Sequence, residues 1–239
     1  SQALRSCLHA NEMIDYFSLC LIPSTEEIEG EYSTLTTILL GLSCNRSVTR
    51  FRIDYSPLNR VSRATTAWVE LLQKNTSIKI LELCDCSIGC DEMSAIARGL
   101  EGNAALKDLT IINLSGDSIL DGPVWQAMLQ RNRCLEEIVF RHGSNTCSKI
   151  PSDELACFAG GLAQNASLKS LDLSSQRIGN ASVVALVEAL QSNDTLESLH
   201  LSFNVIKGAE GAAAVQNLWR NKTLKHLDLS MNFFEEEED

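Results

Sequence analysis

Along this chain, apolar residues recur at helical spacing, stop at an asparagine, and then alternate with polar residues. Asn stands at positions 11, 45, 75, 103, 132, 165, 193 and 221, at intervals of 34, 30, 28, 29, 33, 28 and 28 residues. Three residues before each stands a leucine: Leu8, Leu42, Leu72, Leu100, Leu129, Leu162, Leu190 and Leu218. A second apolar column lies four residues earlier still, in Trp68, Ile96, Trp125, Phe158, Leu186 and Ala214. Spacings of three and four predict helices with one buried stripe. The Asn predicts a helix stop at each, through the left-handed backbone that Asn tolerates.

A short alternating run follows each Asn. The copies are Ile14/Phe17/Leu19, Val48/Phe51/Ile53, Ile78/Leu81/Leu83, Leu135/Ile138/Phe140, Leu168/Leu171/Leu173, Leu196/Leu199/Leu201 and Leu224/Leu227/Leu229. In the fourth copy Leu106 competes with Leu109/Ile112/Leu114, and the second frame is preferred because Leu114 to Ile119 aligns with Leu173 to Ile178. Period two predicts half-buried strands, starting near residues 14, 48, 78, 109, 135, 168, 196 and 224, each but the last followed by a helix. One strand and one helix cannot bury a core alone, so neighbouring units must stack. Strand–helix–strand connections then make the sheet parallel.

The string at 168–193, LKSLDLSSQRIGNASVVALVEALQSN, resembles the ribonuclease-inhibitor class of leucine-rich repeats, as do 196–221 and the Ile-Gly step within 78–103. The resemblance covers nearly the whole chain. It implies an α/β horseshoe solenoid with about eight parallel strands on the concave face and helices outside. Residues 1–234 would form the solenoid, about seven and a half repeats, and 235–239 an acidic tail. The chain opens inside a helix and stops after a strand, with Phe233 and Phe234 at its exit, so a larger array or a partner covering an end is expected. The class spans inhibitors, GTPase activators, immune receptors and cytoskeletal scaffolds, so function has to come from the site.

Departures from the period mark candidate recognition loops. Gly143 takes the strand-exit place this class gives to Asn, yet the next inward residue, Ile150, comes seven positions later instead of two. The five extra residues form a rim loop, with Gly143, Ser144, Asn145, Thr146 and Lys149 as candidate contacts. Insertions near 58–66 and at 23–31 fall on the same rim.

Composition narrows the function classes. The chain is 44% hydrophobic and 21% charged with few Gly and Pro, which excludes disordered and fibrous chains. Net charge is −11, of which residues 235–239 carry five, which argues against general nucleic-acid binding. Apolar runs such as 38–42 are far too short to cross a membrane, and residues 1–11 lack the opening of a signal peptide. Nine irregularly spaced cysteines in a chain of this size favour reduced thiols and a cytoplasmic location. The glycosylation-type sequons mostly coincide with the repeat Asn and carry no argument.

Three constellations bear on chemistry. Cys84, Cys86 and Cys90 invite a zinc reading, but the repeat frame puts them on the concave surface, inside the core and beyond the turn, so no metal or cofactor is expected. Asp172, His200 and Asp228 share one column, with Ser174, Ser202 and Ser230 beside them. No oxyanion donor or glycine elbow accompanies them, which favours a solvated binding face over catalysis. Residues 1–43 hold one Arg against six acids, whereas 44–79 hold Arg46, Arg50, Arg52, Arg60, Arg63, Lys74 and Lys79 against Asp54 and Glu70. Arg and Tyr dominate interface hot spots, so this band is a candidate dock for an acidic partner. Trp68 and Trp125 are expected to be packing residues.

The function expected from sequence is a non-catalytic module that binds a protein partner, with no role for nucleic acid or membrane. The concave contacts would be Arg50, Arg52, Asp54, Tyr55, Glu82, Asp85, Arg141, His142, Asp172, His200, Phe203 and Asp228. The acidic tail also resembles the segment that follows the repeats in Ran GTPase-activating proteins, which makes GTPase activation the alternative. No motif here matches that family's catalytic Arg.

Overall fold

The computed structural model describes residues 2–20, 28–54, 64–86, 88–112, 120–141 and 150–234. Each repeat is organised by its leucine–asparagine pair. The Leu side chain enters the core, and all eight of these leucines are at most 6% exposed. The Asn three residues on is buried as well, from Asn45 through Asn193. Its side-chain amide donates into the preceding repeat: Asn193 Nδ2 reaches Leu162 O at 2.7 Å and Asn165 O at 3.1 Å. Asn75, Asn132, Asn165 and Asn221 do the same one repeat apart. On the other side, Oδ1 accepts from the two N–H groups that open its own strand, as Asn193 does from Thr195 and Leu196.

That geometry corrects the expected helix stop. Asn75, Asn132 and Asn221 have φ of −75°, −66° and −70°, which is extended backbone rather than left-handed. The asparagine ends the helix by capturing the next two amides with its side chain. It is conformationally ordinary and chemically specific.

The chain runs α1 (Gln2–Ala10), β1 (Tyr16–Cys20), α2 (Ile28–Cys44), β2 (Arg50–Asp54), α3 (Thr65–Lys74), β3 (Ile80–Cys84), α4 (Cys90–Leu100), β4 (Asp108–Ile112), α5 (Gly122–Arg131), β5 (Glu137–Arg141), α6 (Ser152–Leu162), β6 (Ser170–Asp172), α7 (Asn180–Leu190), β7 (Ser198–His200), α8 (Gly208–Gln216) and β8 (His226–Asp228). The strands pair in sequence order, all parallel, in one open sheet. Most strands begin two residues later than expected, because the first apolar residue of each motif still belongs to the asparagine turn. Ile78 and Leu168 donate their N–H to Asn75 and Asn165 before pairing starts.

The fourth strand departs from its expected frame. Leu109 pairs with Leu81 and Ile138, and Leu106, Leu109 and Ile111 are the buried set. Ile112 turns to the outer face opposite Cys84 and Arg141. Leu106 starts the motif because it lies three residues after Asn103, whose Oδ1 accepts its N–H at 2.7 Å. The extra residues of this repeat therefore follow the strand. Leu114 and the rest of 113–119 lie outside the described residues. So do 21–27, 55–63, 142–149 and 235–239, which contain most of the predicted insertions and the acidic tail; part of 23–31 belongs to helix α2.

Aromatic groups bridge strand and helix inside the stack. Phe51 lies between Phe17 and Trp68, with centroids 5.8 and 6.4 Å away. Trp125 meets Phe140 edge-on at 5.2 Å and Phe158 at 6.3 Å. Both tryptophans are fully buried, as expected of packing residues.

A second ladder runs along the strand exits. Asn204 Nδ2 donates to Leu173 O and Leu201 O, and its Oδ1 accepts from Gln176 N and Ile178 N. Asn232 repeats this one step on, Gln176 takes the place one step back with its side-chain amide donating to Phe140 O, and Cys86 fills it with its thiol against Ile53 O. The residue before each member is left-handed: Asp85, Ser175, Phe203 and Met231, with φ from 54° to 62°.

Leu190 is fully buried in helix α7. Leu190→Ala should cost about 2–5 kcal/mol in chemical denaturation, as a core cavity does. A change below about 0.5 kcal/mol, typical of surface positions, would contradict the packing.

Candidate interaction surface

The sheet face turned away from the helices carries the outward strand residues in register. One row reads Tyr16, Arg50, Ile80, Asp108, Glu137, Ser170, Ser198 and His226. The next reads Ser18, Arg52, Glu82, Thr110, Val139, Asp172, His200 and Asp228. A third holds Cys20, Asp54, Cys84, Ile112 and Arg141. Adjacent members of a row are about 4.8 Å apart, the strand spacing.

Arg50, Arg52, Asp54 and Glu82 form one network. Arg50 grips Glu82 with two bonds, Nε to Oε2 at 2.6 Å and Nη2 to Oε1 at 2.8 Å. Arg52 donates to both oxygens of Asp54 and comes within 3.8 Å of Glu82. The Arg50 guanidinium also lies 5.6 Å from the centre of the Tyr16 ring. The Glu82 side chain is only 12% exposed beneath this pair. These partners push both guanidinium pKa values above their ordinary range, Arg50 through Glu82 and Arg52 through Asp54. Two cations meet two anions, so the quartet carries no net charge.

The middle of the sheet is different. Asp108 and Glu137 stand opposite each other on β4 and β5, and neither has an ion-pair or hydrogen-bond partner for its carboxylate among the described residues. Burial pushes both carboxyls up, Asp108 further through Glu136 and Glu137 through Asp108 and Asp172. His200 and Arg141 oppose the rise at Glu137 more weakly. Asp172 itself is buried and neutralised: Arg141 Nε donates to its Oδ2 at 2.6 Å, Arg141 Nη2 reaches the same oxygen, and Ser174 N donates to its Oδ1.

His200 connects two other side chains. Its Nε2 lies 2.9 Å from Ser198 Oγ and its Nδ1 is 4.0 Å from Asp228 Oδ2. The predicted serine column is engaged otherwise: Ser202 Oγ donates to Ser174 Oγ and Ser230 Oγ to Asp228. The Ser198–His200–Asp228 chain lies open on a sheet whose amides are spent in pairing, as Leu201 N is with Asp228 O. Among the described residues no set of preorganised N–H donors of the kind acyl transfer requires faces it.

At the strand entrances a third pattern appears. Lys107 and Lys169 each donate to Glu136 at 2.6 Å, which holds its carboxyl down at about 2. Lys225 pairs with Glu197 at 2.9 Å.

Of the predicted contacts, Arg50, Arg52, Asp54, Glu82, Arg141, Asp172, His200 and Asp228 share the outer sheet face. Asp85 and Phe203 sit instead in the left-handed turns that leave β3 and β7. Tyr55, His142, Gly143, Ser144, Asn145, Thr146 and Lys149 lie outside the described residues. Sequence reasoning missed Tyr16, Asp108 and Glu137. The three-residue step from Asn103 to Leu106 was the available signal for Asp108. Among the described residues eight cysteines form no disulfide. Cys86 faces core carbonyls, Cys84 is buried with its thiol pKa pushed up by desolvation, and Cys90 is exposed at the start of α4.

The raised carboxyls make a signed prediction. A carboxyl whose folded pKa exceeds its unfolded one opposes folding at neutral pH, and that penalty fades as pH falls through the folded value. Asp108→Asn or Glu137→Gln should therefore raise the melting temperature at pH 7 by roughly 1–3 °C. The gain should vanish in acid; an equal gain at every pH would place its cause outside electrostatics.

A family model described as Leucine Rich repeat matches residues 164–187, 192–215 and 220–233. A structure of the yeast Rad7–Elc1 complex is similar at 20% identity and TM-score 0.50, covering 87% of this chain and 50% of that one. The tropomodulin C-terminal domain of Caenorhabditis elegans aligns at 15% identity and TM-score 0.42, over 80% of this chain and 92% of that one. Leiomodin-1 actin-binding site 2 aligns at 16% and 0.43, over 84% and 91%. With three repeats matched in sequence over 164–233 and eight parallel strands alternating with helices in chain order, the fold is that of a leucine-rich-repeat solenoid.

Proposed function

We propose that this solenoid is a non-catalytic interaction module that holds a protein partner against the outer face of its sheet, with the rim loop around Gly143–Lys149 alongside. The observation that carries the reading is the Asp108–Glu137 pair. Two adjacent carboxylates stand at the middle of the face with no direct ion-pair partner among the described residues, where burial makes them oppose folding. A cationic side chain of a partner would complete them. Beside them the Arg50–Glu82–Arg52–Asp54 quartet and Tyr16 are already held in place, so docking there freezes little extra side-chain freedom.

The quartet changes the expected partner. Arg50 and Arg52 are matched by Glu82 and Asp54, so these two residues of the basic band give the face no surplus positive charge, and a partner with basic groups fits the described residues better than an acidic one. The full helices between strands and the period near 28 residues support assignment to the ribonuclease-inhibitor class. Exposed free thiols at Cys7, Cys20 and Cys90 support a reducing, cytoplasmic setting. Among the described residues no helix is long and apolar enough to cross a membrane. The GTPase-activator alternative rests on the shared repeat class and on the acidic tail, which lies outside the described residues, and no specific observation favours it.

Capture of a partner by the intact chain, followed by affinity measurement on variants, tests the face. Asp108→Lys with Glu137→Lys should weaken binding by about 2 kcal/mol or more, as loss of a hot spot does, and wild-type binding should fall with salt. Unchanged affinity and salt response would move attention to deletion within residues 143–149.

The quartet supplies a second check. Arg50→Glu with Arg52→Glu strands Glu82 and Asp54 among like charges, so the melting temperature should drop. Adding Asp54→Arg and Glu82→Arg should restore stability while leaving partner binding weak. If the fourfold swap binds like wild type, the quartet does not touch the partner.

A further inference from the structure

Two consecutive strand exits expose four apolar side chains. Phe203 and Val205 follow β7, and Met231 and Phe233 follow β8; their exposures are 58%, 42%, 64% and 61%. Phe203 and Met231 hold left-handed backbone at φ 56° and 57°, a region where a side chain is strained and Gly or Asn is at ease. The turn asks for a small or polar residue, and the core gains nothing from these two. A bulky apolar side chain at such an exposed turn adds little to stability.

The exposure is not a consequence of β8 lying at the sheet edge. The β8 repeat already stacks on the β7 repeat, with Phe203 N donating to Ser230 O and Leu201 N to Asp228 O. Phe203 and Val205 stay exposed even so. Another repeat stacked on β8 would cover Leu227, and it would leave Met231 and Phe233 as open as their counterparts Phe203 and Val205. The patch belongs to the rim.

Two exposed cations lie along it among the described residues. Arg177 occupies the place of Val205 one repeat earlier, and Lys207 follows Val205 by two residues. Both are exposed, and neither forms an ion pair among the described residues. An acid on the same edge, Glu210, accepts from Asn180 Nδ2 at 3.0 Å.

We propose that this rim is a second docking surface, distinct from the sheet face, for a segment of a partner protein that carries apolar side chains flanked by carboxylates. Apolar anchors would cover Phe203, Met231 and Phe233. Arg177 and Lys207 would select acidic over basic flanks. This surface stands or falls independently of the Asp108–Glu137 reading.

The probe is a set of short labelled peptides with a Phe/Leu pair at varied spacing and Glu flanks, measured by fluorescence polarisation. Matched peptides carry Lys flanks, or Ser in place of the apolar pair. Glu-flanked apolar peptides should bind about tenfold or more tightly than either control. Phe203→Asn and Met231→Asn should each remove about tenfold of that affinity while keeping or raising the melting temperature, because Asn relaxes the turn. Arg177→Glu with Lys207→Glu should invert the flank preference. The proposal is overturned if no Glu-flanked peptide exceeds its Ser control, or if binding survives the double Asn variant. A concentration-dependent dimer abolished by that variant would overturn it in favour of a second copy of the chain. Sedimentation with phosphatidylserine vesicles, lost in the variant, would overturn it in favour of a lipid surface.

Discussion

A buried asparagine amide that gives its protons to the preceding repeat and accepts two from its own is the contact on which this molecule depends. From Asn45 to Asn221 the side chain donates one repeat back, to the Leu carbonyl and in most cases also to the Asn carbonyl. A typical hydrogen bond adds about 0.5–1.5 kcal/mol net, but stranding a buried polar group costs about 1–3 kcal/mol. The ladder therefore works more as a constraint than as a glue. Any slip in the stacking of two repeats leaves polar atoms buried without partners. The Leu three residues earlier is part of the same device, since its side chain fills the core and its carbonyl receives the next asparagine.

That constraint sets the sheet. Because Asn Oδ1 fixes where each strand starts, all eight strands enter pairing in the same register, and outward side chains line up across repeats. The Arg50–Glu82 and Arg141–Asp172 pairs join neighbouring strands only because this register holds. Asp108 and Glu137, which have no direct ion-pair partner among the described residues, are brought face to face by the same rule. Charge on this surface is thus partitioned into neutralised clusters and one open acidic centre. The strand-exit ladder of Cys86, Gln176, Asn204 and Asn232 likewise lines up the left-handed turns that display Phe203 and Met231.

Much of this was legible in the residue order. The Leu and Asn columns located every helix end, and the alternating runs named the inward residues of seven strands. Two errors have physical causes. Asn was read through its backbone tolerance, when its side-chain amide was the operative group. The fourth strand was framed by the resemblance of Leu114–Ile119 to a later repeat, when the fixed Asn103–Leu106 step was the stronger constraint. That error hid Asp108, and with it the pairing to Glu137. Phe203 was identified as a contact residue but placed on the sheet, because the turn's left-handed backbone leaves no mark in hydrophobic periodicity.

The ladder can be tested at its centre. Asn132 is 1% exposed and joins the β5 repeat to Leu100 O and Asn103 O of the one before. Urea unfolding of Asn132→Ala, followed by fluorescence and by hydrogen exchange of amides on either side, asks whether that contact couples the two halves. The account predicts that the single wild-type transition splits or loses slope, with the two halves exchanging at different denaturant concentrations. One unchanged cooperative transition at the wild-type midpoint would contradict it.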